Sequence, residues 1–405
     1  MRSDQPAAAR LADVARLFSG RRLTLARQVS GLRKNGLAER IGKTATAVAA
    51  YESGSKRPAP STVAELALTL GVDPSFFIGG RGDEAVTQTP HFRSLRTTTQ
   101  LVRDQADAYG RLVHEIAIFL DRYVELPPRN TPRLPVQPDT ISVDEPEVAA
   151  MELRKAWAVG SGPLGHLIRL AENNGVLVAY SIPQAVSIDA FSIDAEPWPL
   201  ILLNPAKYDF SRQRFDVAHE LGHLVMHSDP EPGNKIAEDQ ANRFAAEFLM
   251  PAIDIQHELP RKTDWPRLFE LKERWGVSIQ ALLMRCRQLQ VMNDTTYQRA
   301  MVNLSTKGWR TNEPGEGTLP EQPSLLARSV ELLEEAGYDG GVLADQCRVP
   351  ADIFWTATSR KPTFEWRPPI ETANGGQHDE QLELLGVTDL ESYRAKGRRS
   401  GAAEA

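Results

Sequence analysis

Two histidines four residues apart, with a glutamate directly after the first, make up the stretch His219-Glu220-Leu221-Gly222-His223. Positions i and i+4 share one face of a helix, so both imidazoles can grip a single Zn²⁺. A catalytic zinc ion takes three protein ligands and keeps its fourth position for water. Glu238, 15 residues after His223 on the next predicted helix, is the leading third ligand, with Glu247 and Asp239 as rivals. Asn242, one helical turn beyond Glu238, is placed to hydrogen-bond a ligand histidine. His227 extends the histidine face by a further turn, where it caps the helix or supports a ligand. Glu220 points about 100° round the helix from His219 and would reach the activated water as general base. Zinc brings the pKa of such a water to roughly 7, and the chemistry implied is hydrolysis of an amide bond.

These groups need rigid elements. Phe215, Ala218, Leu221, Leu224 and Val225 form an apolar stripe that predicts a buried helix over 211–227. A second helix is predicted over 235–250, stopped by Pro251. Upstream, helical patterns from Glu145 onward give way to strand signals over 176–180, 186–193 and 200–203, an α+β order. The strand over 199–204 is either an edge on which an extended peptide could be laid or an ordinary core strand. Helices are predicted at 265–275, 278–288 and 295–305, and a further pair at 325–337 and 341–356.

The chain of 405 residues is long enough for two to four domains, and 41% hydrophobic with 25% charged residues excludes a disordered or fibrous protein. No apolar run is long enough to span a membrane and no signal-peptide order is present, so a cytoplasmic location is expected. Cys286 and Cys347 stand far apart, giving neither a disulfide framework nor a thiolate metal cage. The net charge of -6 is uneven: residues 20–60 hold nine Lys or Arg against Glu39 and Glu52, which leaves -13 for the remainder. A small basic module on an acidic body points to local contact with a polyanion.

The expected division is a flexible arm at 1–20, a helical bundle at 21–80, a linker with a long helix at 81–140, an α+β domain at 141–310, a helical segment at 320–372 and a disordered tail at 373–405. Within the linker, the helix is predicted over 101–126 and the proline-rich stretch 127–138 acts as a semi-rigid spacer. His91-Phe92-Arg93-Ser94-Leu95-Arg96, an aromatic flanked by basic residues, either touches phosphate or, the preferred reading, is the solvated start of that linker.

In the basic bundle, Leu37, Ile41 and Val48 would bury a two-helix corner, Gly42 permits the sharp turn and Thr44 caps the second helix. That helix would offer Ala45, Thr46 and Ala49 to the major groove of double-stranded DNA, while Lys34, Lys43, Lys56 and Arg57 meet phosphates. The run from Gly31-Leu32 through Leu37-Ala38, Ile41-Gly42, Thr44, Val48, Tyr51-Glu52 and Gly54 resembles the helix-turn-helix of Cro/C1 repressors, the XRE family. That family often has Gln where this chain has Lys34 and Ala45, and Ala cannot pair bidentately with adenine, so base reading would rest on thymine methyls and DNA shape. Helix-turn-helix geometry also leads us to expect a homodimer, since two half-sites need two modules.

Arg214-Phe215-Asp216-Val217-Ala218-His219-Glu220-Leu221-Gly222-His223-Leu224, followed by Glu238 and Ala241-Asn242-Arg243-Phe244-Ala245-Ala246-Glu247-Phe248-Leu249-Met250-Pro251, closely resembles the ImmA/IrrE metallopeptidase family. The resemblance implies a zincin-like fold, zinc at His219, His223 and Glu238, Glu220 as catalytic acid/base, and cleavage of repressor proteins by some members. The fold class expected is therefore multidomain, α plus α+β: an N-terminal helix-turn-helix bundle, a zincin-like domain and a helical C-terminal part. The function expected is a DNA-binding transcriptional regulator carrying a zinc metallopeptidase-like domain that hydrolyses a protein such as a repressor. The alternative is a non-proteolytic transcription factor or antitoxin-like repressor whose zincin domain is sensory or structural.

Overall fold

Every residue of the three main strands is buried on both faces, which requires a sheet covered by helices on each side. A computed structural model describes residues 7–79, 91–92, 99–136, 145–182, 190–206, 209–227, 234–310, 313–314 and 318–360. Among them, β1 (His91–Phe92), β2 (Leu177–Tyr180), β3 (Ala190–Ile193) and β4 (Leu200–Leu203) form one sheet in the order β1-β3-β4-β2. The β2–β4 pair is parallel, and β3 runs antiparallel to both β4 and β1.

The N-terminal part consists of α1 (Ala7–Arg16), α2 (Gly20–Val29), α3 (Lys34–Arg40), α4 (Ala45–Glu52), α5 (Pro60–Leu70) and a 3₁₀ turn at Pro74–Phe77. It is joined to α6 (Gln100–Leu120), which lies across one face of the sheet. The other face carries α7 (Glu145–Ala156), α8 (Leu167–Asn173), α9 (Phe210–Met226), α10 (Lys235–Leu249), α11 (Ala252–Ile255), α12 (Trp265–Trp275), α13 (Ile279–Gln288) and α14 (Asp294–Thr306). α15 (Leu325–Glu335), α16 (Gly340–Cys347) and α17 (Ala351–Ala357) return to the α6 side.

Strand alternation sorts the two cores. Leu177, Ala179, Phe191, Ile193, Leu200 and Leu202 face the α6 side. Val178, Tyr180, Ala190, Ile201 and Leu203 face the α9 side. α6 comes close to the sheet because residue 110 is glycine; a Cβ there would stand 2.5 Å from Ile193 Cδ1.

Several expectations need correction. The arm expected at 1–20 contains α1, whose Val14 and Ala15 are buried against the bundle, and α2 already begins at Gly20. The long helix predicted over 101–126 ends at Leu120, where Asp121 Oδ1 accepts from Leu126 N–H, and its Tyr109, Leu112, Val113 and Ile116 are fully buried. His91 and Phe92 form β1 instead of a solvated linker start, while residues 93–96 lie outside the described ones. β4 is a central strand, paired on both sides, so it offers no edge for a peptide. The helix predicted over 341–356 is two helices, because Pro350 cannot continue the first and Arg348 turns left-handed at φ 56°. The strand expected over 186–193 is described from Ala190 on, and the tail at 373–405 lies outside the described residues.

Buried charge ties the bundle to α6. Arg22, 2% exposed, donates to Glu115 Oε1 at 2.5 Å and to the Phe76 carbonyl at 3.0 Å, with its guanidinium over the Phe76 ring. Gln105 Nε2 donates to the Val29 carbonyl at 2.9 Å. α6 also buries His114 beside Trp198, and that burial pushes the imidazole pKa down to about 4, with the Trp198 backbone pulling weakly the other way. The native state therefore refuses a proton that the unfolded chain accepts near its ordinary value of 6.5. Stability should be intact above pH 6.5 and fall by about 3 kcal/mol as pH drops to 4. Urea denaturation of wild type and His114→Phe at pH 7 and pH 4 should show the smaller pH loss in the variant; equal losses would remove His114 as the cause.

Candidate functional site

α9 starts where Asp209 accepts from Arg212 N–H at 2.8 Å and ends at Met226, with the His227 N–H closing on the His223 carbonyl at 2.9 Å. α10 starts at Asn234, whose Oδ1 accepts from Ile236 N–H at 2.9 Å and Ala237 N–H at 3.3 Å. The two helices pack closely at Gly222, where a Cβ would stand 3.0 Å from the Phe244 ring. This contact sets His219 and His223 opposite Glu238.

His219, His223 and Glu238 each offer one ligand atom, all within 4.8 Å of one another. The Nε2 atoms of the two histidines are 3.0 Å apart, and the Glu238 oxygens stand 3.4 Å from His219 Nε2 and 3.7 Å from His223 Nε2. A tetrahedral ion with bonds of about 2.0–2.1 Å needs ligand atoms roughly 3.3 Å apart, so the donor set has the span a zinc-sized cation requires. Glu238 is half-buried while His219 and His223 are buried, so the triad meets solvent on the Glu238 side.

Hydrogen bonds behind the triad fix its protons. His219 Nδ1 meets Asn242 Oδ1 at 3.0 Å, which takes the ring proton and leaves Nε2 its lone pair. With Gln240 Oε1 accepting from His227 Nε2–H at 2.8 Å, His227 Nδ1 is the acceptor for His223 Nδ1–H at 3.0 Å. His223 Nε2 is then also a lone pair, facing that of His219. Two lone pairs at that distance repel, and a cation between them turns the repulsion into bonding. Burial pushes the His227 pKa down, which keeps this ring neutral in the relay. Asn242→Ala should weaken metal affinity by about 10- to 100-fold with the fold intact, read by competition with a chromophoric chelator. Unchanged affinity would show that Asn242 does not tune His219.

The rival ligands are elsewhere. The Glu247 carboxylate is taken by Arg285 and by Ala252 N–H at 3.0 Å, and Asp239 is exposed. Glu220 is fully buried, and its Oε2 accepts from Ser192 Oγ–H of β3 at 2.8 Å. Ser192 and Gln240 were missed by sequence reading. The one trace of Ser192 is a hydroxyl within the apolar run Phe191-Ser192-Ile193, and nothing marks Gln240, which reaches back to the preceding helix end.

In the basic bundle, Thr44 Oγ1 accepts from Ala47 N–H at 3.2 Å as the cap of α4. Ala45 and Thr46 are exposed on its first turn, and Ala49 is half-buried. Lys34, Lys43, Lys56 and Arg57 are exposed, though Lys34 lies 3.4 Å from Glu52 Oε2 and Lys43 4.0 Å from Glu65 Oε2. Arg22 and Arg27 add nothing to this surface: Arg22 is sunk against Glu115, and Arg27 against Glu52 at 2.5 Å.

Residues 171–287 match the Peptidase M78 family model, described as an IrrE N-terminal-like domain. Residues 20–75 match a helix-turn-helix domain model. No curated protein matches the chain. Among the described residues, no helix is long and apolar enough to cross a membrane.

Proposed function

We propose that this chain, a helix-turn-helix domain joined to an IrrE N-terminal-like domain, is a DNA-binding transcriptional regulator with a zinc-dependent endopeptidase site that cleaves a protein such as a repressor. The observation that carries it is the facing of two histidine lone pairs and a carboxylate with the separations of a tetrahedral ion. His219, His223 and Glu238 would hold the zinc, with Asn242 and His227 orienting the two imidazoles. Bound there, zinc would supply Lewis acidity for water activation and for polarising a peptide carbonyl. Glu220 takes the proton from the attacking water and returns it to the leaving amine, and Ser192 Oγ–H holds its carboxylate in one rotamer. The proteolytic reading is favoured over a purely structural metal site because Glu220, directly after the ligand His219 and held by Ser192, is a carboxyl group that structural zinc has no use for.

At the other end, α4 enters the major groove of DNA with Ala45, Thr46 and Ala49, while Lys34, Lys43, Lys56 and Arg57 contact phosphates. A homodimer would present two such helices to a two-fold operator.

Metal analysis of purified wild type and His219→Ala, followed by incubation with the proteins encoded by neighbouring genes, tests the reading. About one zinc per chain in wild type, none in His219→Ala, and a defined cleavage by wild type alone are expected. Zinc without cleavage of any candidate would return the site to a sensory or structural role.

A further inference from the structure

The outer edge of β3 lies beside the proposed catalytic centre. Ser192, in the middle of β3, faces the α9 side and donates to Glu220, so a polypeptide laid along this edge passes next to the general base. That edge is already taken. His91 and Phe92 pair antiparallel with it, His91 opposite Ser192 and Phe92 opposite Phe191. They come from the stretch of chain between the helix-turn-helix bundle and α6, far in sequence from the strand they cover.

We propose that the outer edge of β3 is a docking edge for an extended polypeptide, held closed by the chain's own His91–Phe92, and that a protein substrate enters by displacing this pair strand for strand. The proposal rests on the peptidase reading of the site. Strand addition draws its affinity from main-chain hydrogen bonds, so the cis segment and an incoming segment compete for the same donors and acceptors. Among the described residues the cis ladder comprises two positions of β3, and an incoming strand that pairs over more of β3 than these can displace it. The cis segment has the advantage of tethering, which gives it an effective concentration in the millimolar range. A foreign strand therefore needs either higher intrinsic affinity or a shift that pulls the cis segment away.

The test uses the full-length protein and a fluorescein-labelled peptide with this chain's own residues 86–97, followed by anisotropy. His91→Pro/Phe92→Pro removes the backbone donors of β1 and should free the edge. The peptide is expected to bind the variant at least tenfold more tightly than wild type, with the zinc content of the two proteins equal. Hydrogen exchange on the unmodified wild type gives a second measure that does not depend on the variant's folding. Excess peptide should strip protection from the amides of 91–92 while 191–192 stay protected. Equal affinity for both proteins, no binding to the variant, or protection at 91–92 unchanged by excess peptide would overturn the proposal. Zinc content and cleavage are read separately, so failure of the peptidase reading leaves a distinct signature.

Discussion

Replacing Glu220 by Gln should leave zinc in place and abolish most hydrolysis, a fall of about 10²- to 10⁴-fold in kcat. The expectation follows from what the carboxylate touches. Its Oε2 accepts from Ser192 Oγ–H at 2.8 Å, a bond that the carbonyl oxygen of Gln can also accept, so the buried site loses neither volume nor its anchor. What Gln cannot do is accept a proton from water and hand it on. None of the three metal-facing atoms belongs to Glu220, so metal content should equal that of wild type. Ser192→Ala should act on the same step more mildly, because the carboxyl group remains and loses one hydrogen bond that orients it. Parallel measurement of zinc stoichiometry and cleavage rate on the three proteins checks this. A Glu220→Gln protein that cleaves at the wild-type rate would assign the proton transfer to another group.

How much of this was readable beforehand depends on whether a feature is local. The helix ends around the site are local. Asn234 caps α10, Pro251 follows it, and the 3.6-residue stripe of Phe215, Ala218, Leu221, Leu224 and Val225 marks α9, so both helices fall within a residue or so of their predicted spans. The metal-facing triad follows from i and i+4 spacing plus one more helix. The sheet order does not. Leu200–Leu203 has the same apolar run whether it stands at an edge or in the centre, and pairing on both sides is a tertiary fact. Among the described residues β1 spans His91–Phe92, too short for any alternation to register. Charge is equally deceptive. Counting bases over 20–60 credits Arg22 and Arg27 to a DNA surface, whereas both are buried ion-pair partners inside the fold.

The same distinction between a carboxylate that binds metal and one that holds the fold gives the second large effect. Glu247 and Glu238 both lie on α10, and sequence alone allowed either to be the third ligand. Glu247 instead anchors α13 and the start of α11: it pairs with Arg285 and accepts from Ala252 N–H at 3.0 Å, while Arg285 Nε donates to the Met250 carbonyl at 3.1 Å. Arg285 is 2% exposed. Glu247→Ala would strand that guanidinium in a low-dielectric interior, a loss of about 3–5 kcal/mol of stability. Glu238→Ala should have the opposite profile, with zinc lost and the metal-free protein about as stable as metal-free wild type, because Glu238 is half-exposed and faces the metal position. Chemical denaturation in the presence of a chelator, alongside zinc analysis without it, separates the two. Replacing both members of the inner pair, Glu247→Leu with Arg285→Met, should recover a good part of the loss, since removal of two opposite buried charges avoids the desolvation cost of keeping one. Full recovery will not occur, because Ala252 N–H then loses its acceptor. If Glu247→Ala instead lost its zinc and kept its stability, the ligand assignment on α10 would have to be exchanged.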